Sequence, residues 1–476
     1  MRRTKIICTV GPATESPDRL EALVKAGMNV ARLNFSHGTH EAHARAIEHL
    51  RKISEKLEQP IAITQDLCGP KLRLGTLPDE GLPIAAGETA TFVLSDSGNS
   101  IEQLPLPIPA LFAMVRKGDR LLINDGRVKM IVTDREADII RAEAVIGGLL
   151  SSHKGVNVPD TRLPVTPVTE KDLRDLRFGI QQGVDLVAVS FVRTAADLEP
   201  VQRTIEAAGH HILVIPKIEK REAVENFDEI LKVADGVLIA RGDMGVELPL
   251  KQVPLIQKDI IKRCNRAGKP VITATQMLES MISAPDPTRA EATDVVNSIL
   301  DGTDAMMLSG ETAVGDYPVE AVQTMHSIAT YTEAALQEGV LLLPRTDEGS
   351  FSVTEAVAES VCRVAYDIGA QAILCNTSSG STARLVSKYR PKTPIVAFTP
   401  EATTYRQLAL SWGVEPAMMP VVKSAEEMFL TVVNKTVEMG FAKEGEKVVI
   451  TSGVPVGASG TTSLIKVHTI GQPLVG

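Results

Sequence analysis

The sequence predicts an α/β protein: a (β/α)8 barrel with an inserted small β-barrel lid domain and a C-terminal α/β open-sheet domain. Three observations carry this reading. Eight short apolar runs alternate with helical patterns. About a hundred residues between the third and fourth runs change to strands and turns. Strand–helix alternation then restarts after residue 340. The corresponding boundaries are 1–69 and 166–345 for the barrel, 70–165 for the lid and 346–476 for the last domain.

The eight runs are Ile6–Val10, Val30–Leu33, Ile61–Thr64, Leu186–Val189, Ile212–Ile215, Val237–Ala240, Val271–Ala274 and Ala305–Leu308. Short, uniformly apolar runs suit strands buried on both faces, as in parallel sheets covered by helices. A count of eight favours closure over a doubly wound open sheet. Within the insert, Gly87–Ser95, Arg120–Ile123, Val128–Thr133 and Asp138–Val145 read as strands, with no convincing amphipathic helix, and Asn124-Asp125-Gly126 is a strong hairpin signal. Its place at a strand's C-terminal end puts the insert over the barrel mouth, where it can act as a lid that excludes water. After a connector at Leu341–Ser352 come a helix (Thr354–Ile368), a strand (Ala372–Cys375), a helix (Ser381–Tyr389) and a strand (Ile395–Phe398). A helix from Ser424 to Met439 and strands near Val448–Thr451 and Leu464–Thr469 complete a separate α/β unit.

Composition narrows the function. At 476 residues the chain exceeds one ordinary core. A formal charge of −9 and a single Trp disfavour nucleic-acid or anionic-membrane binding, so any phosphate-bearing ligand must be held by local positive charge. Five scattered cysteines form no CxxC pair, which suits a reducing compartment. No uncharged apolar stretch is long enough to span a membrane, and Arg2-Arg3 is followed by no signal-like apolar core. A cytoplasmic location is expected.

Polar residues gather where the runs end. Lys217 and Glu219 leave the fifth run and Asp243 the sixth: hard oxygen ligands beside an ammonium, suited to Mg2+ or Mn2+ and an anionic substrate, with no His or Cys to favour zinc. A structural salt bridge at a barrel rim is the plain alternative. Gly242-Asp243-Met244-Gly245 offers backbone N–H groups to a carboxylate or phosphate, or is simply a turn. Arg32 with Asn34, Phe35, Ser36 and His37 occupies another strand exit, and Asp66, Leu67, Lys71 and Arg73 a third. Arg73 and Lys154 bracket the insert and bring positive charge to the cleft from both hinges. Thr275 ends the seventh run. His37, His40 and His43, lacking a matching carboxylate or Cys, read as a solvated helix face rather than a metal site. In the last domain, Thr377-Ser378-Ser379-Gly380-Ser381-Thr382 links a strand to a helix; it suits a phosphate and equally a plain N-cap loop.

With Asn34–Gly38, Ile215–Glu222, Arg241–Leu248, Thr273–Met281 and Pro287–Glu291 in view, the chain closely resembles the pyruvate kinase family almost end to end. Leu213–Val224 is similar to the family's active-site signature at every position. The resemblance implies transfer of a phosphoryl group from phosphoenolpyruvate to ADP, giving pyruvate and ATP, the final step of glycolysis. It implies that Lys217 stabilises the transferring phosphoryl and enolate, and that Glu219 and Asp243 hold Mg2+, with a second Mg2+ arriving on the nucleotide. Arg32 then contacts the substrate phosphoryl, the Gly242 and Asp243 amides its carboxylate, and Thr275 lies near the protonation site. Asn34, Phe35, Ser36, His37, Arg73 and Lys154 match nucleotide positions. A barrel, lid and regulatory domain, assembled as a homotetramer, are also implied.

Two departures stand out. Relatives that need K+ use oxygens like those of Asn34, Ser36 and Asp66, a Thr carbonyl and a Glu; here the last two positions hold Leu67 and Lys71. An ammonium at Lys71 can take the place of K+, so activity independent of K+ is expected. In the loop Thr377–Thr382, Ser378 and Ser381 stand where members activated by sugar bisphosphates carry Lys or Arg, which suggests a monophosphate effector. Two other readings share features. A metal-dependent aldolase-like lyase would use the same carboxylates but not the hinge cations. A non-catalytic ligand-binding paralogue would be expected to lose Lys217, Glu219 or Asp243, and all three are present.

Overall fold

A computed structural model describes residues 2–164, 166–336, 352–453 and 462–473. Eight parallel strands, Lys5–Val10, Val30–Asn34, Ala62–Asp66, Leu186–Val189, Leu213–Ile218, Val237–Ala240, Val271–Ala274 and Ala305–Leu308, close into a barrel in chain order. The first strand meets the eighth with Lys5 opposite Ala305 and the second with Ile7 opposite Val30. Helices between the strands cover the outside. The predicted runs match these strands to within two residues at either end, except that the fifth strand continues three residues past Ile215 to Ile218.

The insert forms a six-stranded sheet in the order Val156–Asn157, Arg120–Ile123, Val128–Glu136, Ile139–Ile146, Thr89–Val93, Leu104–Pro105, with a two-stranded ribbon of Leu82–Ile84 and Gly148–Leu150. It has its own core around Phe92, Leu111, Phe112 and Met130. The hairpin signal is realised as a turn in which Arg127 N–H donates to the Asn124 carbonyl (3.1 Å) and both Asp125 and Gly126 have positive φ, the type I′ geometry that favours these residues. A short helix, Pro109–Met114, interrupts the strands. Six residues opened by a proline are too few to show helical periodicity in sequence. Both chain segments of the hinge are tied together: Leu74 N–H donates to the Lys154 carbonyl and Val156 N–H to that of Leu72.

The last domain is a five-stranded sheet ordered Val414–Met418, Ile395–Thr399, Ala372–Asn376, Lys447–Gly453, Thr462–Thr469, with only the final pair antiparallel. The strand Val414–Met418 was not foreseen. Its Pro416 argues against a strand, and is tolerated because this strand lies at the sheet edge. The connector expected at Leu341–Ser352 lies outside the described residues except for Ser352. Among the described residues no helix is long and apolar enough to cross a membrane.

The last domain also completes the barrel. Ala409 and Leu410 join Ile7, Val30, Leu213, Leu238 and Met307 in the cluster that fills the barrel interior. Ion pairs surround this plug: Arg406 with Asp185 (2.7 Å), Arg390 with Asp304 (3.0 Å) and Lys5 with Glu415 (3.5 Å). Asp185 is fully buried and also accepts from Arg51 and from the Ile63 N–H. Leu410 is 1% exposed, so Leu410→Ala should cost about 2–4 kcal/mol by cavity formation beneath the barrel. Guanidinium unfolding monitored in the barrel checks this; an unchanged midpoint would show the plug to be dispensable.

Candidate active site

Side chains alternate along a strand, and this parity builds the site. In the fifth strand Leu213 and Ile215 fill the barrel interior, while Val214 and Ile218 pack outward against helices. The same inward parity carries Lys217, then Glu219, to the top of the interior. Arg32 follows inward-facing Val30, Asp66 follows Ala62, and Ser190 follows Leu186. Four strands thus deliver their polar ends to one place.

There the groups interlock. Lys217 Nζ donates to Ser190 Oγ (2.9 Å) and lies 3.6 Å from both Asp66 Oδ1 and Glu219 Oε2. Arg32 binds Asp66 Oδ2 through Nε and Nη2, each at 2.7 Å, and Thr9 Oγ1 through Nη1 at 3.0 Å. Ser190 Oγ donates to the Leu67 carbonyl (2.7 Å). Burial works to lower the Lys217 pKa, but the charges of Asp66, Glu219 and Asp243 outweigh it and hold the ammonium above the ordinary lysine range. Burial likewise opposes ionisation of Asp66, yet Lys217 and Arg32 keep its pKa below normal.

Glu219 is the exception. Its Oε1 accepts from the Phe191 N–H (2.6 Å), while its buried Oε2 has no hydrogen-bond partner among the described residues. Burial is the largest influence and pushes its pKa up to about 7; Lys217 pulls it back and Asp243 adds to the rise. An unsatisfied buried carboxylate oxygen, with a second carboxylate adding negative charge, fits a hard divalent cation. No cluster of three or more His, Cys, Asp or Glu side chains suited to a metal occurs among the described residues, so such an ion would complete its shell with water and substrate.

Asp243 sits in the helix Arg241–Glu247 and lines the cleft between lid and barrel, with Lys71, Asn157, Phe191, Arg193, Lys220 and Glu247 also in its wall. Gly242 N–H donates to Thr275 Oγ1 (2.7 Å), which donates to the Ala274 carbonyl (2.6 Å). Thr275 has φ +68° and Gln276 φ +53°, a strained turn for a β-branched residue. Arg241 braces it, donating to the carbonyls of Thr275 (2.7 Å) and Ala274 (3.2 Å) while paired with Asp294 (2.7 Å).

Other predicted residues are placed less centrally. Asn34 Oδ1 accepts from Ser36 N–H (3.1 Å), folding Asn34–His37 into a tight turn; Phe35 is buried and stacked on His43 (4.1 Å), so its ring faces the core. His40 stacks on Phe178 and meets Asp175 (2.8 Å), so His40 and His43 pack on aromatic rings while His37 is exposed and the His40 side chain stays 42% exposed. Arg73 donates to the His153 carbonyl (2.8 Å) on the exposed hinge beside Lys154; neither residue lines the cavity that holds Asp243. Asp66 is committed to Arg32 and Lys217, and Leu67 is buried with its carbonyl bound to Ser190. In the last domain Gly380 N–H donates to Thr377 Oγ1 (3.0 Å), Ser379 meets Ser381 (3.2 Å), and Thr382 meets Thr462 (2.7 Å). Ser378 contributes its carbonyl to Thr404 Oγ1 (2.7 Å).

Sequence reasoning missed Ser190 as the lysine's hydrogen-bond partner, Arg241 as the brace, and Arg384. The last lies two residues past the loop, donates to the Ser379 carbonyl (2.9 Å) and keeps Nη1 without a hydrogen-bond partner among the described residues. Strand parity could have found Ser190, two residues beyond Ala188, and helical spacing Arg384; nothing local marks Arg241.

The comparisons agree along the whole chain. The family models described as pyruvate kinase, barrel domain, and pyruvate kinase, alpha/beta domain, match residues 1–322 and 355–468. A protein of Geobacillus stearothermophilus named pyruvate kinase is 48% identical over 476 residues, covering 99% of this chain and 81% of its own. Pyruvate kinases of Sporosarcina psychrophila and Staphylococcus aureus (strain MRSA252) are each 44% identical, covering 100% of this chain and 81% of theirs. This chain belongs to the pyruvate kinase family.

Proposed function

We infer that the chain catalyses phosphoryl transfer from phosphoenolpyruvate to ADP, giving pyruvate and ATP. The observation that carries this is Lys217, held as an ammonium between Asp66 and Glu219 at the barrel mouth, beside a buried carboxylate oxygen that lacks a hydrogen-bond partner among the described residues. Transfer of this kind develops charge on the phosphoryl oxygens and on the departing enolate, and fixed cations in a water-poor site stabilise it. Lys217 and Arg32 supply two such cations. Asp66 holds both in place. Glu219 and Asp243 would hold Mg2+ or Mn2+, whose chemistry is to neutralise phosphoryl charge. The short helix opening at Arg241 presents the Gly242 and Asp243 amides to the substrate carboxylate. The Gly242 N–H must then exchange its Thr275 partner, and the Thr275 hydroxyl must turn its proton from the Ala274 carbonyl to the enolate, relaying a proton drawn from solvent. The lid closes over this chemistry and keeps water from the phosphoryl group.

The nucleotide is assigned to the turn Asn34–His37 with Arg73 and Lys154, on charge and position. Lys71 lies in the cavity wall with Asp243, which supports its ammonium standing in for K+. A phosphorylated effector is assigned to Thr377–Thr382, and an Arg384 nitrogen beneath the loop with no hydrogen-bond partner among the described residues supports an anionic ligand. Self-assembly as a homotetramer is supported by large apolar side chains left exposed on the barrel helices, Leu255 and Leu300 among them.

A coupled assay for pyruvate tests the whole reading. Pyruvate should form from phosphoenolpyruvate only with ADP and a divalent metal, and Lys217→Met should lower kcat by at least about a hundredfold with the fold intact by circular dichroism. Release without ADP would favour lyase chemistry instead. In the same assay, replacing Na+ with K+ should leave kcat nearly unchanged; strong activation by K+ would remove the role given to Lys71.

Glu219 also sets a pH dependence. Its folded pKa lies above the ordinary 4.5, so without metal the folded chain holds an extra proton between about 4.5 and 7. This group's contribution to stability is full below that window and is lost as pH rises through it. Metal competes for the same carboxylate. Mn2+ affinity should therefore fall about tenfold per pH unit below 7, measured by electron paramagnetic resonance; a flat profile from pH 5.5 to 8 would contradict it.

A further inference from the structure

A carboxylate with no part in the chemistry above joins the lid to the barrel. Glu247 ends the helix that carries Asp243 and is 3% exposed. Its Oε1 accepts two hydrogen bonds, from Asn157 Nδ2 (3.0 Å) and from Lys220 Nζ (2.6 Å). Asn157 belongs to the lid, in the strand that pairs with Leu122 and Ile123. Lys220 belongs to the barrel and directly follows Glu219.

Lys220 reaches further. Its Nζ lies 5.7 Å from the centre of the Phe191 ring, within cation–π range. Phe191 has φ +58°, a conformation that its surroundings must impose, and in it the backbone N–H points at Glu219 Oε1 (2.6 Å). The same ring packs on Gly69, the last residue before the lid, where a β-carbon would stand 2.7 Å from Phe191 Cδ2. The donor that orients Glu219 is thus seated between the lid's entry hinge and a lysine shared with the lid's far side.

We propose that Glu247 is the catch on which the lid closes, and that Lys220 and Phe191 pass closure on to Glu219, so that the divalent cation is held tightly only when the lid is down. The proposal rests on the reading of Glu219 as a metal ligand. Asn157, Lys220 and Glu247 are positioning residues: they act through Phe191 and Glu219. The energetic basis is that Glu247 is almost shut off from water. Opening the lid removes a donor from a buried charged acceptor, a loss worth about tenfold or more in an equilibrium. The metal and the catch then favour the same closed state and strengthen each other.

The test uses the full chain and Mn2+ alone, with binding read by electron paramagnetic resonance and lid position by energy transfer between a label on the lid and one on the barrel. Asn157→Ala should weaken Mn2+ binding about tenfold and populate the open lid, and Glu247→Gln should weaken it to a similar extent. The double variant should be no worse than the stronger single one, because both break one link. With substrates present, the metal concentration for half-maximal rate should rise while kcat at saturating metal returns to the wild-type value, a split that general loss of structure would not give. Asn157→Ala changes a part-exposed residue and keeps the test available should Glu247→Gln fold poorly. Wild-type Mn2+ affinity in Asn157→Ala overturns the catch. Wild-type affinity in Glu219→Gln overturns instead the metal assignment beneath it.

Discussion

The ammonium of Lys217 is the constraint around which the site is built. A lysine so enclosed loses its charge unless carboxylates match it, and a carboxylate beside it is equally costly without cations. The site meets both demands by interleaving Arg32 and Lys217 with Asp66, Glu219 and Asp243. Once Glu219 is ionised, two positive and three negative groups leave one negative charge in excess. A divalent cation converts that to one positive charge, the sign a phosphorylated carboxylate requires. Ground state and ligand-bound state are therefore electrostatically different in kind, and the barrel's job is to keep the first tolerable so that the second is favourable.

The barrel achieves this through strand parity, which is also why so much of the site was legible in sequence. A strand written Leu213-Val214-Ile215-Pro216-Lys217-Ile218-Glu219 states which residues share the interior, and the apolar half of the series anchors the polar half. The type I′ turn at Asp125-Gly126 was equally plain, since few residues accept two successive positive φ values. What stayed hidden is what depends on partners distant in the chain. Asp66 read as a candidate ligand for a monovalent cation because nothing local says that Arg32 and Lys217 converge on it. Arg241 looked like part of a turn until the fold set it against the carbonyls of Ala274 and Thr275. Phe35 sat in a polar exit motif, yet its ring serves the core.

Strain is placed beside function in two positions. Thr275 and Phe191 are both non-glycine residues with positive φ, and each presents a group to the site: a hydroxyl to Gly242 and an N–H to Glu219. Both are held from outside, the first by Arg241 and its partner Asp294, the second by Gly69 and Lys220. The bracing residues need no contact with substrate to matter. They set where the Thr275 hydroxyl and the Phe191 N–H stand.

At the other end of the barrel, the plug of Ala409 and Leu410 has a consequence for how the chain is made. Lys5, in the first strand, is 3% exposed and its Nζ donates to the carbonyl of Val414, 409 residues later. At the usual pace of synthesis that partner emerges roughly 20 to 80 s after the strand itself. Until then the newborn barrel has an open floor and an ammonium with nowhere dry to go. The barrel's first strand is thus among the last to reach its final surroundings.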